Sequence, residues 1–262
     1  MKATKTTALI LTLLIAASAQ AFGQTYAAPR ELPIERLVKQ NFREYFGRDY
    51  VYPALIAESF YPIGWSKDGK FAYYTEPVDE ACGCYYAKLV IQDLLTDKVI
   101  WKFDYEQGGQ DDNGKSTEPG NIRELWKKNQ KLFSEKLAEN GIVASRSAML
   151  AKTFTVGGKS YTAKLVEKLG KNPEEDYRRV DYYTVTLSSP RLGSKKLFTS
   201  EDNTKEEYWF MLNAGLIGVL KSPYENRVAI IAIEVLKGYE GPPHTGDIQI
   251  VGADLTSGFG KK

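Results

Sequence analysis

Two spacings of apolar residues alternate along this chain, and each predicts its own kind of element. Ile34, Leu37, Val38, Phe42, Tyr45 and Phe46 recur at helical intervals between Pro33 and Gly47, a proline start and a glycine stop. The stretch ahead of them, 24–30, is short and polar and reads as a loose leader. From Phe60 the interval changes. A turn centred on Asp68-Gly69 separates two aromatic runs, a third run spans 85–93, and a fourth spans 99–103 beyond a turn at 94–98. The polar, glycine-rich stretch 106–120 closes this unit.

The clearest helical signal follows. Asn121 is a capping residue with Glu124 three positions on, Ile122, Leu125, Trp126, Leu132, Phe133 and Leu137 make an apolar stripe, and Asn140-Gly141 stops it. An amphipathic helix over about 121–140 is therefore expected to lie across one face of a sheet. Two further strand units come next. In one, the runs 153–156 and 159–166 flank the hairpin turn Gly157-Gly158, and strands at 180–187 and 195–199 follow. In the other, 216–220 and 227–233 are joined by Ser222-Pro223-Tyr224-Glu225-Asn226, and a last strand runs 247–254. The expected fold is mainly β: antiparallel, blade-like β-meander units over about 60–103, 151–199 and 216–255, with one or two packed helices, in one domain spanning 22–262.

The first and last units share a layout. Ile63-Gly64, then Ser66-Lys67-Asp68-Gly69-Lys70-Phe71-Ala72, aligns with Ile217-Gly218, then Ser222-Pro223-Tyr224-Glu225-Asn226-Arg227-Val228-Ala229. Each leads on to a third strand, ending at Asp93-Leu94 and at Asp254-Leu255. Gly64-Trp65-Ser66-Lys67-Asp68-Gly69-Lys70 resembles the Trp-Ser-Pro-Asp-Gly-Lys element of TolB-like β-propeller blades, with Lys67 in place of the proline. Ser222-Pro223-Tyr224-Glu225-Asn226-Arg227 keeps the proline and loses the Asp-Gly. The resemblance implies blade-like meanders and carries no functional residue with it. A closed propeller takes four to eight four-stranded blades, so three irregular units and a helix are too few to close one.

The first residues carry an address. Lys2 and Lys5 precede the apolar run from Ala8 to Ala17, and Ala19-Gln20-Ala21 is an A-x-A cleavage pattern, so 1–21 reads as a signal peptide cleaved near Ala21. The run is shorter than the roughly 20 residues that span a bilayer, no cysteine sits at the cleavage point for lipid attachment, and no later stretch would span a membrane. A periplasmic or extracellular protein is expected. Loss of Lys2 and Lys5 balances the charge, because the chain has 35 Lys and Arg against 33 Asp and Glu. A neutral chain without a basic stripe is a poor ligand for nucleic acid or anionic membranes. The 17 tyrosines and 43% hydrophobic content suit a folded, strand-rich protein.

Candidate chemistry is sparse. Cys82-Gly83-Cys84 holds the only two cysteines, which an oxidising compartment should pair as a disulfide. One reading is a small local staple; the other is a redox pair with a strained bond. Asp79 and Glu80 beside it would raise a thiol pKa, which favours the staple. His244 is the single histidine and reads as a loop residue. One histidine leaves no set for a multi-histidine zinc site, and no G-x-S-x-G element presents a serine. Gly157-Gly158-Lys159-Ser160 lacks the first glycine of a phosphate loop, and Gln110-Asp111-Asp112-Asn113-Gly114 lacks the closing glutamate of a calcium loop, where Gly120 stands. No catalytic, cofactor-binding or metal-ligating residue is singled out. The leading expectation is a non-catalytic binding module of the cell envelope, with another envelope protein or a glycan as partner. The alternatives are a secreted hydrolase of carbohydrate or peptide working through Asp and Glu, and a Cys-x-Cys redox protein.

Overall fold

A computed structural model describes residues 25–47, 53–78, 83–108, 118–171, 178–202 and 210–260. The leader 1–21, Cys82 and the acidic loop at 110–114 lie outside these residues. Among these described residues the fold is mainly β, with two α-helices and two open, largely antiparallel sheets that close into neither a barrel nor a propeller.

The smaller sheet runs in the order β5-β4-β3-β2-β6, from β2 (Ser59–Trp65), β3 (Lys70–Glu76), β4 (Tyr86–Asp93), β5 (Lys98–Glu106) and the two-residue β6 (Val143–Ala144). The larger begins with β1 (Leu55–Ala57), which lies parallel to β14 (His244–Asp254). β14 continues antiparallel through β13 (Arg227–Leu236) to β12 (Met211–Lys221). The sheet then passes to β10 (Val180–Ser189), β9 (Lys159–Leu169) and β8 (Thr153–Val156), with β11 (Gly193–Thr199) beside β10 and β7 (Met149–Leu150) beside β12. The hairpin glycines Gly157 and Gly158 have φ of 57° and 70°, the pair of left-handed positions a two-residue type I′ turn needs.

Strand β13 shows how the layers stack. Ala229, Ile231, Ile233 and Val235 point into a core shared with Trp65, Phe71 and Tyr73 of the smaller sheet. Val228, Ile230 and Ala232 point the other way, into a core with Tyr161, Val185 and Leu187. Both faces are covered because β10 meets β12 only at Val180 and Met211, so β8–β11 fold back over the sheet. Tyr161 fastens that fold by donating to the Leu255 carbonyl at 2.8 Å.

The outer face of the smaller sheet is covered by α2 (Ile122–Glu139), as the stripe requires. Leu125, Trp126, Phe133 and Leu137 are buried there, with Phe133 edge-on to Phe103 at 5.0 Å, while Leu132 stays partly exposed. Asn121 accepts from the Arg123 and Glu124 amides, both at 3.1 Å, and Glu124 reaches back to the Gly120 amide. The first helical signal becomes α1 (Glu35–Asn41) and a 3-10 turn (Arg43–Phe46), broken at Phe42, whose ring is buried against β12 and β13.

The two aligned units make equivalent bonds. The Ser66 and Ser222 amides donate to the Lys70 and Arg227 carbonyls, both at 2.9 Å. The Leu94 amide donates to Gly69, as the Leu255 amide does to Asn226. Asp93 and Asp254 each accept from an amide two residues on, Leu95 and Thr256. The segment 143–150 bridges these units, pairing through β6 with β2 and through β7 with β12.

Candidate functional site

The segment 25–32 is fastened at Tyr26 and Leu32, not loose. Tyr26 is buried: its amide donates to Ser134, its hydroxyl to the Ile142 carbonyl, and its carbonyl accepts from the Trp126 indole at 2.8 Å. Six residues on, the Leu32 amide donates to the Phe60 carbonyl at 2.8 Å. The sequence hides this because anchoring depends on a helix a hundred residues away.

A cavity of about 590 Å³ lies between this strap, Pro62 and Ile63 of β2, and residues 144–147. Its origin is readable in β2. Leu32 pairs with that strand at Phe60, and β6 pairs with it from Ile63 onward. Pro62, between them, has no N–H to sustain a continuous ladder, so the edge changes partner and leaves a gap. Gly64 lets β6 come close: a Cβ there would lie 2.1 Å from the Val143 carbonyl oxygen.

The walls are mostly apolar, with a few polar groups set in them. Ser145 Oγ is buried and has no hydrogen-bond partner among the described residues. Arg30 and Arg146 line the cavity and have no ion-pair or hydrogen-bond partner there either. Glu31 is the only acid among the lining residues. Ser147 is engaged, accepting from the Trp65 indole at 3.1 Å. A 300–1,000 Å³ hollow with apolar walls and a few converging polar groups is the usual form of a ligand site.

Glu31 also lines a second cavity, of about 300 Å³, with Ile34, Val38, Phe46, Leu55 and Glu58. Glu58 is 3% exposed. It accepts from the Ile248 amide at 3.1 Å and faces the Lys88 ammonium at 3.5 Å. Burial, reinforced by Asp247, pushes its carboxyl up to about 7. Asp247 and its cross-strand partner Glu234 are also raised by burial, and Glu234 accepts from the Tyr183 hydroxyl at 2.6 Å. No sequence pattern marks these three acids, since Glu58 follows β1 while Glu234 and Asp247 lie on β13 and β14.

His244 departs from its expected place. It opens β14, is buried, packs edge-on to Tyr45 at 5.7 Å, and accepts from the Gly238 amide through Nδ1 at 3.1 Å. Burial, then the nearby Lys237, holds its pKa down. Gly83, just ahead of Cys84, has a left-handed φ of 63°. Among the described residues no group of three His, Cys, Asp or Glu is placed to hold a metal, and no helix is long and apolar enough to cross a membrane. The chain matches no protein-family model, no curated protein and no solved structure.

Proposed function

We propose that this is an exported, non-catalytic binding module of the cell envelope, whose ligand site is the cavity under the strap. The supporting observation is the pairing of an apolar hollow of about 590 Å³ with polar groups that have no partner among the described residues, Ser145 Oγ and the Arg30 and Arg146 guanidinia. Groups left unpaired in a cavity gain most when a ligand completes their hydrogen bonds. The test is a thermal-shift screen of the mature protein against envelope peptides and glycan fragments, repeated with Ala144→Trp to fill the cavity. A ligand that stabilises the parent protein and not the filled variant supports the reading; stabilisation of both alike removes the cavity from it.

A second reading, a hydrolase working through acids, draws on Glu58. A carboxyl near 7 at the side of a cavity is suited to trade protons at neutral pH. Against it, both Glu58 oxygens already face partners, Ile248 and Lys88. Turnover of any screened glycan or peptide, lost in Glu58→Gln, would favour this reading over the first.

A further inference from the structure

The strand β6 is an edge. Among the described residues it pairs with β2 on one side only, in register Gly64 with Ala144 and Trp65 with Val143, and the Ser145 amide donates to Ile63 at 3.1 Å. Amide directions alternate along a strand, so the Ala144 N–H and C=O point away from β2. Ala144 lines the cavity, and Ser145 and Arg146 follow it directly. One side of the cavity is thus an unpaired strip of backbone, with a buried, partnerless hydroxyl and a partnerless guanidinium beside it. The other is the strap, which adds Arg30.

We infer that the cavity takes the end of an extended peptide, which lies along the free edge of β6 and delivers its terminal carboxylate to Arg30, Arg146 and Ser145. This rests on the binding-module reading above and narrows its ligand. Each part of the peptide meets a matching group. Backbone amides add to an open sheet edge, apolar side chains fill the hollow between Pro62, Ile63 and Leu32, and a carboxylate suits the planar guanidinium fork. Glu31, on the same strap, repels a second anion and so favours a single negative end over a polyanion.

The experiment uses the mature protein and fluorescein-labelled apolar tetrapeptides, made once as free acids and once as C-terminal amides, with binding followed by polarisation. Free acids should bind at least about ten-fold tighter than amides, a preference that weakens with salt. Arg30→Gln with Arg146→Gln, both at exposed positions, should erase the difference between acid and amide without lowering the melting temperature. Equal binding of acids and amides that Ala144→Trp abolishes would overturn the carboxylate inference and leave the cavity reading standing. Binding that Ala144→Trp does not touch would overturn both. Absence of binding by either peptide set, or binding of an anionic glycan in their place, would overturn the peptide assignment.

Discussion

The carbonyl of Leu94 lies over Gly252 so closely that a Cβ on the glycine would sit 2.1 Å from the carbonyl oxygen. Leu94 is at the end of β4 and Gly252 is in β14, so this contact joins the two sheets. Asp97 strengthens it by accepting from the Gly252 amide at 2.7 Å, Gln92 donates to the Ile250 carbonyl at 3.0 Å, and Arg227 donates to Leu94 at 3.2 Å. Gly252→Ala should therefore separate the sheets locally and cost about 1–3 kcal/mol, the usual range for a forced overpacking. Urea unfolding measures it, and a loss under a few tenths of a kcal/mol would show that the turn yields freely.

Gly64 plays the corresponding part at β6. Gly64→Ala should lift β6 from β2, opening the cavity wall that carries Ser145 and Arg146. The expected outcome is a ligand affinity reduced by ten-fold or more, with faster hydrogen exchange at the Ser145 amide, whose acceptor is Ile63. Unchanged exchange at that amide would contradict this account of the wall.

Glu58 should make stability depend on pH. Its folded-state pKa, about 7, is above its ordinary 4.5, so the folded protein binds this proton more tightly than the unfolded chain. That contribution is whole below about pH 4.5 and is lost as the pH rises through about 7. Glu58→Gln removes the cost of a buried charge, so at pH 8 the variant should be the more stable by roughly 2 kcal/mol. The gap should shrink toward pH 4. Urea unfolding at pH 4, 6 and 8 reads the trend, and a gap that widens as the pH falls would refute it.

Cys82 and Cys84 are proposed to be joined in the exported protein. Replacing both with serine should leave the fold intact and lower stability little, because the loop they close is minimal. Thiol titration of the denatured, unreduced protein should find no sulfhydryl; two sulfhydryls would put the redox reading ahead.

The proposed export predicts a mature chain beginning near Phe22. Amino-terminal sequencing of protein recovered outside the cytoplasm checks it, with Met1 retained as the contrary result. Tyr26 should then be the first firmly held residue, so Tyr26→Ala should expose the strap to proteases at 27–31 while the sheets stay resistant.

Elements with local causes are legible in the residues themselves. An unbroken apolar run after the turn at 222–226 placed β13 and the hairpin glycines placed β8 and β9, while Asn121, Glu124 and an apolar stripe placed α2 and the sheet it covers. The glycines aligned in the first and last strand units, Gly64 and Gly218, lie where β6 and β7 press close, though nothing local said why. β1, β6 and β7 are two or three residues long and carry no periodicity, so no pattern could reveal them. The cavity, the buried strap at Tyr26, the burial of His244 and the raised Glu58 were decided by tertiary structure alone. Each depends on residues far apart in sequence sharing one desolvated place, such as Glu58 with Ile248, or Tyr26 with Trp126. Burial and closeness in space, which set hydrogen bonding and pKa, arise only once the two sheets have closed on one another.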